Sequence, residues 1–574
     1  MNMFTKKVLE KSAQTEKEWQ KRTSASEGKP KQAAKTAGGI PVKPVYTPRD
    51  IEATEYDDIP IPGHYPYTRG FRHLPYAEDG WMMRQPVALG SSKDTRERME
   101  YLERIGWRLF IGQEEKNELF VQNVALDIPS QQGYDPDAPE ARGRVGRDGM
   151  SLSTMWDLDA FYEGRDLART EIFYASPDGQ MPCLAQYLVY AEKRGVPWEK
   201  LRFKVSNLWY HSWYWDAAAY PPRHARKLGP ELISFFLKGF PFAQVASVTG
   251  YNPGEAGATP VQEVAFTLAT AMFITEECIK VGLDPDDFVP RFYGHDHTNL
   301  DLFETVAKFR AKRRMWAKLF REKFGCKKPE SLRLRNFPQT GGSLLHRKEP
   351  ENNIIRVAIM ALAQVLAGAD GVWAASYDEC LNIPSQKAAQ IALRTSQILF
   401  YETNIANVID PLGGSYYVES LTNRIEAEAT ELLNEIEKRG GYLKCWESGW
   451  FRSQLSQEAR RWQESIEKGE RVVVGVNKWD VDDEDHSPMF RVSPEVERER
   501  IEKVQAFRAQ RDNDKTKAAL DALRLAVEKM KNAWPESCGQ VMPVMVDAFR
   551  AQCTIGEAQG ILKDVLGYGY TGHG

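Results

Sequence analysis

Residues 249–260 read TGYNPGEAGATP. The apolar run FPFAQVASV (240–248) precedes them, and VQEVAFTLATAMFI (261–274), with helical apolar spacing, follows. The order is strand, glycine-rich turn, helix. Such a turn can cradle a phosphate on a helix N-terminus, or it can be one connection in a longer strand–helix array. Asn252 before Pro253 also suits a plain turn.

The neighbouring sequence favours the array. From about residue 85 to 410, short apolar runs such as LFVQNVALDI, RTEIFYAS, LRFKVSNLWY, FAQVASVTGY and GADGVWAASY alternate with helical stretches. The helical stretches include PCLAQYLVYAEKRG, PELISFFLKG and LFETVAKFRAKRRMWAKLFREKFG. Repeated strand–helix units imply a parallel sheet. A (β/α)8 TIM barrel needs about 250 residues, and the region has room for one; an open doubly wound sheet is the alternative. No G-x-G-x-x-G follows an early strand, which disfavours a dinucleotide fold. The expected organisation is α/β: an N-terminal arm (1–50), a barrel (51–420) and a helical C-terminal region (421–574). The arm is lysine-rich and polar, with a leading helix expected from roughly Phe4 to Lys21.

The chain has 574 residues and a formal net charge of -4, so a general nucleic-acid binder is not expected. Seven cysteines stand singly, at 183, 278, 326, 380, 445, 538 and 553, with no CxxC pair. Reduced thiols in a cytoplasm are the expectation, with neither a zinc site nor a disulfide framework. No stretch is long and apolar enough to span a bilayer, and the start has no apolar signal core.

Several stretches together carry a resemblance: YPYTRG (65–70), WMMRQ (81–85), GYDPDAPEARGRVGRDG (133–149), GYNPGEAGATP, VAKFRAKRRMWAKL (306–319), RLRNFPQTGGSLL (333–345), YDECLNIPS (377–385), DPLGGSYYVESLT (410–422) and VVVGVNKW (472–479). In that order they resemble the large subunit of coenzyme B12-dependent acyl-CoA mutases, the methylmalonyl-, isobutyryl- and 2-hydroxyisobutyryl-CoA mutase family. The resemblance spans about residues 45–480. It implies a TIM barrel whose axis the CoA tail threads, with adenosylcobalamin on the carboxyl-end face. It implies a radical carbon-skeleton rearrangement of an acyl-CoA, in which the cofactor carries the hard chemistry. The family's Asp-x-His-x-x-Gly cobalt motif does not occur; HDH (295–297) and DEDH (483–486) have the wrong spacing. The implied partner is a separate small cobalamin-binding subunit, with a heterotetramer or another dimer of heterodimers expected.

The resemblance also implies site residues. The family's His after Gly-Tyr, which hydrogen-bonds the migrating thioester carbonyl, is Asn252 here; Tyr251 and Glu255 match. A carboxamide still donates to a carbonyl but supplies no proton. Arg84 and Gln85 match the Arg-Gln element, and Pro86 takes the packing position after it. Lys227, with Arg226 adjacent, falls by count where methylmalonyl-CoA mutases hold the substrate's free carboxylate with an Arg. Ala125 matches the methylmalonyl type. Ser206 replaces a Gln, Arg335 and Gln339 remain, and Phe337 replaces a His. Trp373, Ala374 and Ala375 replace His-Thr-Asn, while Glu379 matches the ribose-contacting position. Glu255, Phe337, Ala375 and Glu379 are thus the cofactor-side residues. The exchanges trade polar groups for aromatic and small ones, which suits a bulky or aromatic dicarboxylic acyl group such as a 2-arylsuccinyl-CoA. The aromatic cluster WYHSWYW (209–215) adds surface of the same kind. Lys308, Arg310 and Arg313 are candidates for CoA phosphate contacts, or form a basic helix face.

Overall fold

The computed structural model describes residues 3–24, 35–85, 87–112, 119–176, 178–206, 209–210, 220–481 and 491–569. Its short strands are β1 (Met82–Arg84), β2 (Phe120–Ala125), β3 (Thr170–Ala175), β4 (Arg202–Lys204), β5 (Ala246–Thr249), β6 (Phe292–His295), β7 (His297–Thr298), β8 (Arg335–Asn336), β9 (Gln339–Thr340) and β10 (Gly371–Trp373). Their pairings are parallel, in three sheets ordered β1–β10–β9–β7, β2–β3–β4 and β5–β6–β8. Asp296 interrupts one strand run into β6 and β7, and Phe337–Pro338 interrupts another into β8 and β9. Pairing continues through both breaks, because Phe337 N–H donates to Gly294 O (2.9 Å) and Gln339 N–H to Asp296 O (2.8 Å). Among the described residues, backbone bonds join the sheets: Val87 N–H to Asn123 O (3.0 Å), Val205 N–H to Gln244 O (2.8 Å), Gln244 N–H to Phe203 O (2.9 Å) and Asp370 N–H to Asn336 O (2.8 Å).

Parallel neighbours require crossovers, and helices supply them: Gln180–Lys193 after β3, Pro222–Phe236 after β4, Pro260–Lys280 after β5, Leu302–Glu322 after β7, Asn352–Leu366 after β9 and Gln386–Glu402 after β10. Strands covered on both sides are mostly apolar, and all four β5 residues are buried, Ser247 and Thr249 among them. Helix Pro260–Lys280 begins where its sequence says it should. Thr259 accepts from Gln262 N–H, the Gln262 side chain returns to Thr259 N–H, and Pro260 occupies the first turn.

Helix Leu302–Glu322 overturns the basic-face expectation. Lys308, Arg310 and Arg313 are buried, and a buried charge persists only when paired. Lys308 Nζ meets Glu263 Oε2 at 2.6 Å, and Arg310 reaches both Asp410 oxygens at 2.5 Å and also Glu419. Arg313 donates to the carbonyls of Ala367 (2.7 Å), Thr68 (2.9 Å) and Tyr67 (3.2 Å). These cations hold the helix to its neighbours and are not presented to phosphates.

The N-terminal helix runs Lys6–Ser24. Farther on, the arm is tied down where Thr36 Oγ1 donates to Glu304 Oε1 (2.6 Å) and Gly38 N–H to Glu304 Oε2 (2.9 Å). The expected boundary after residue 420 falls inside helix Tyr416–Lys438. Beyond it the described chain is mostly helical, through Pro494–Gln510, Asn513–Asn532, Val541–Arg550 and Ile555–Leu566. Charges dock these helices: Arg500 pairs with Asp157, Arg508 with Asp135 and Asp137 (2.6 Å each), and Glu231 accepts from Val541 N–H (2.7 Å). No helix among the described residues is long and apolar enough to cross a membrane.

Candidate active site

Ligands of parallel α/β sheets gather beyond the carboxyl ends of the strands. β5 ends there at Thr249, and the chain turns directly into the short helix Tyr251–Glu255. The turn is no phosphate cradle. Gly254 and Gly257 N–H donate to Gly250 O (3.0 Å) and Gly254 O (3.1 Å), and Glu255 adds a negative charge. Glycine is required at 254 for another reason: a Cβ there would lie 2.3 Å from His297 Cβ. The turn is pressed against β7.

Tyr251 stacks on His295 (centroids 5.0 Å apart, 14° between planes) and lies 6.1 Å from His297. Asn252 is half-buried beside it, its Oδ1 3.5 Å from Thr249 Oγ1. Glu255 accepts from Gly342 N–H and Ser343 N–H, both at 2.7 Å, and its Oε1 is 3.4 Å from His297 Nε2. A Cβ at Gly342 would be 3.2 Å from Glu379 Oε1 and 3.7 Å from both Glu255 Oε2 and the Tyr251 hydroxyl. Two carboxyls and a phenol thus converge on one side-chain-free position.

The two carboxyls are held in different states. Burial would raise Glu255, but His297 and the two backbone N–H groups outweigh it, so it stays below the usual range. Glu379 is pushed up to about 8, by burial first and then by the charges of Glu255 and Asp378. Near neutral pH Glu379 is therefore a protonated acid beside a carboxylate. The residue as a whole is partly exposed, yet its Oε2 is shielded from solvent and has no hydrogen-bond partner. Burial and the Glu255 charge also raise the Tyr251 phenol well above its ordinary value.

An aromatic wall continues inward. His295 is sandwiched between Tyr251 and Trp373, whose ring lies 5.4 Å away at 16°. Its Nε2 is 3.2 Å from Gln339 Oε1. Burial, then the Arg84 charge, lowers His295 to about 4, so the ring is neutral. Next to Trp373 the Arg84 guanidinium lies among three rings, 5.1 Å from Phe173, 5.4 Å from Phe337 and 5.8 Å from Trp373. Lys204 Nζ sits 2.9 Å from Glu171 Oε1, 3.5 Å from Met82 Sδ and 3.8 Å from the Phe337 ring. Side chains from β1, β3, β4 and the β8–β9 break therefore meet in the interior. A CoA tail threading there would have to part Lys204 from Glu171 and Phe337.

Tyr251, Glu255 and Glu379 come together, and Gln339 joins them through His295. Asn252 lies on the same turn. Arg84 and Phe337 belong to the inner centre, so Phe337 is not beside Glu255 and Glu379. Ala375 is buried, its N–H on Thr340 Oγ1 (2.9 Å). Ala125 ends β2 opposite Ala175. Ser206 follows β4, its N–H on Gln180 Oε1 (2.5 Å). Three expectations are corrected. Gln85 turns outward, its Nε2 on Ala389 O (2.6 Å) of helix Gln386–Glu402. Arg335 is exposed at the amino end of its strand run. Lys227 donates to Lys531 O (2.7 Å) among the C-terminal helices, and Arg226 pairs with Glu277 (3.3 Å), so neither is placed in this cluster. Pro86 and positions 211–215 of the aromatic cluster lie outside the described residues; Trp209 and Tyr210 are buried. Lys204, Glu171, His295 and His297 are site residues that the sequence reading does not single out; the signal for the first two is a charge inside the apolar runs LRFKVSNLWY and RTEIFYAS, whereas HDH breaks its own run.

No group of three or more His, Cys, Asp or Glu among the described residues is arranged to hold a metal. The profile of the family described as methylmalonyl-CoA mutase matches residues 35–568. The 2-hydroxyisobutanoyl-CoA mutase large subunit of Aquincola tertiaricarbonis is 35% identical over 534 residues, covering 93% of this chain and 92% of that protein. The methylmalonyl-CoA mutase of Escherichia coli (strain K12) is 33% identical over 530 residues, covering 92% of this chain and 71% of that protein. The mitochondrial methylmalonyl-CoA mutase of Homo sapiens is 32% identical over 545 residues, covering 93% and 68%. With most of its length matched and the strand-end cluster in place, the chain belongs to the methylmalonyl-CoA mutase family, isomerases of acyl-CoA thioesters that use adenosylcobalamin.

Proposed function

We propose that this chain is the catalytic subunit of a mutase acting on a bulky or aromatic dicarboxylic acyl-CoA, of which a 2-arylsuccinyl-CoA is the type. The observation that carries the reading is the stack Tyr251–His295–Trp373, continued by Phe337 and Phe173 around Arg84. A wall of flat rings with few polar groups suits a ring-bearing ligand. The half-buried Ala125 is an apolar end to β2 and gives no acid to meet a substrate hydroxyl, which speaks against a hydroxyacyl substrate.

The strands are best understood as eight runs closed into a (β/α)8 barrel, supported by the backbone links between sheets. Cofactor and thioester then share its carboxyl-end face. The residues present fit adenosylcobalamin: Glu379 has an unmade hydrogen bond at Oε2, and Gly342 leaves the space between it and Glu255 empty. Glu379 and Glu255 are placed to hold the ribose hydroxyls, the first donating and the second accepting. When bound, the cofactor supplies radical initiation. The protein's part is orientation and exclusion of water. Asn252 donates its amide N–H to the thioester carbonyl, and the Tyr251 ring shields that side. A separate small cytoplasmic partner subunit would supply the cobalt-binding His; support lies in the near-complete match to the Aquincola large subunit.

The test is turnover. The purified chain is mixed with a small cobalamin-binding subunit, adenosylcobalamin and either 2-phenylsuccinyl-CoA, methylmalonyl-CoA or isobutyryl-CoA, and products are resolved by mass spectrometry. Full-rate turnover of the small esters with none of the aryl ester refutes the substrate assignment. Absence of both turnover and any acyl-CoA-dependent paramagnetic signal would mark a non-catalytic relative.

A further inference from the structure

The inner centre is electrically incomplete. Arg84 is buried, and its Nε and Nη1 have no hydrogen-bond partner. Its nearest acid is Glu171, 3.9 Å from Nη1, and that carboxylate is closer to Lys204, at 2.9 Å. The Trp373 indole N–H is also buried without a partner. Burial, only partly offset by the Glu171 charge, lowers the Lys204 ammonium to about 7; with that ammonium charged, two cations and one carboxylate leave one positive charge in excess, enclosed by Phe173, Phe337 and Trp373. A buried guanidinium with unmade hydrogen bonds is a costly arrangement unless something completes it. The excess matches a monoanion with two acceptor oxygens, which a guanidinium fork receives well. A phosphate carries more charge and more hydration than this ring-lined position offsets.

We propose that Arg84, balanced by the Lys204–Glu171 pair, is the site that receives the free carboxylate of the acyl group. Its aromatic frame holds the carbon skeleton next to that carboxylate. The assignment rests on the acyl-CoA reading and moves the carboxylate contact from Lys227, which is engaged elsewhere, to the strand interior. Lys204 holds the same Glu171 oxygen closer than Arg84 does, at 2.9 against 3.9 Å, so the guanidinium keeps unmade hydrogen bonds to offer a ligand.

The experiment compares shape-matched ligands by calorimetry on the complex with its small subunit: 2-phenylsuccinyl-CoA against 2-phenylbutyryl-CoA, and free 2-phenylsuccinate. The native protein prefers the succinyl ester by roughly 10- to 100-fold, the loss expected for one charged hydrogen-bonded contact. Arg84→Met, which fills the same space with an apolar chain, erases the preference and keeps the affinity for the butyryl ester; Arg84→Lys retains part of it. Glu171→Gln, which leaves Arg84 in place, strengthens binding of the succinyl ester several-fold, a gain that a merely structural Glu171 would not give. Equal loss of both esters in Arg84→Met, or a preference that survives it, overturns the proposal while the mutase reading stands. If neither ester binds but 2-phenylsuccinate binds the native protein and not Arg84→Met, the mutase reading fails and the carboxylate site stands. If none of the three binds, both fail.

Discussion

Glu379→Gln tests the electrostatics of the carboxyl pair most directly. The native carboxyl is raised from 4.5 to about 8. Each unit is worth about 1.4 kcal/mol between protonation states, so the environment disfavours the charged form by about 5 kcal/mol. The sign follows from the raised value. The folded state holds the proton more tightly than the unfolded chain, so the contribution to stability is complete below pH 4.5. It is lost progressively as pH climbs to about 8. Glutamine keeps the shape and a hydrogen-bond donor and never ionises. Subtracting its stability from that of the native protein cancels the other titrating groups. Between pH 5.5 and 8.5 the difference should shift in favour of the variant by about 3 kcal/mol, read from urea denaturation midpoints at several pH values. The native holoenzyme should also lose activity through pH 8, and the variant should not. A difference that moves by less than about 0.5 kcal/mol over that range, within the scatter of an ordinary surface change, refutes the assignment of Glu379 as a buried acid.

Three further outcomes are expected. Asn252→Ala should lower turnover by about 100-fold, the usual cost of one preorganised donor, and Asn252→His should retain most of it; native turnover in the alanine variant would reduce Asn252 to a turn residue. Arg310→Met leaves Asp410 with Arg69 alone (2.8 Å) and strips the buried Glu419 of its ion pair, and should cost about 3–5 kcal/mol in chemical denaturation with CoA affinity unchanged. Weakened CoA binding with full stability would instead restore a phosphate contact. Gly254→Ala places a methyl 2.3 Å from His297 Cβ; it should displace the turn from β7 and abolish turnover while the chain still folds by circular dichroism.

What was legible in the sequence follows from how local each determinant is. β2, β3 and β5 stand out because their runs are mostly apolar, and the helix after β5 carries its own cap in Thr259 and Gln262. The runs made of β6–β7 and β8–β9 are hidden. His295, Asp296 and His297 occupy a strand interior, and Phe337–Pro338 splits another, so neither shows a strand-like run of apolar residues. Buried cations are illegible for a different reason. Arg310 finds its acids 100 and 109 positions away, so a fully neutralised interior helix has the same local pattern as a solvated basic face. Lys227 shows the limit of counting along a motif. One residue along a helix rotates a side chain by about 100°, and the helix phase sends this one to Lys531 O and not to the strand ends.

The turn at 249–260 brings these levels together. Its residue types predict strand, turn and helix, and the fold keeps that order; its chemistry is decided by what the other strands bring to it. Tyr251 meets a histidine kept neutral by burial and by Arg84, and Glu255 is charged because His297 and two glycine-loop N–H groups hold it so. Glu379 keeps its proton because Glu255 does not. The charges of Glu255 and Asp378 lie at the carboxyl-end wall, and the buried Arg84 guanidinium lies deeper. A ligand whose thioester is to reach Asn252 and whose carboxylate is to reach Arg84 must span the ring wall between them. The distance between those two contacts, more than the identity of either residue, selects the length of the acyl skeleton, and esters lengthened or shortened by one methylene should lose turnover together with the carboxylate preference.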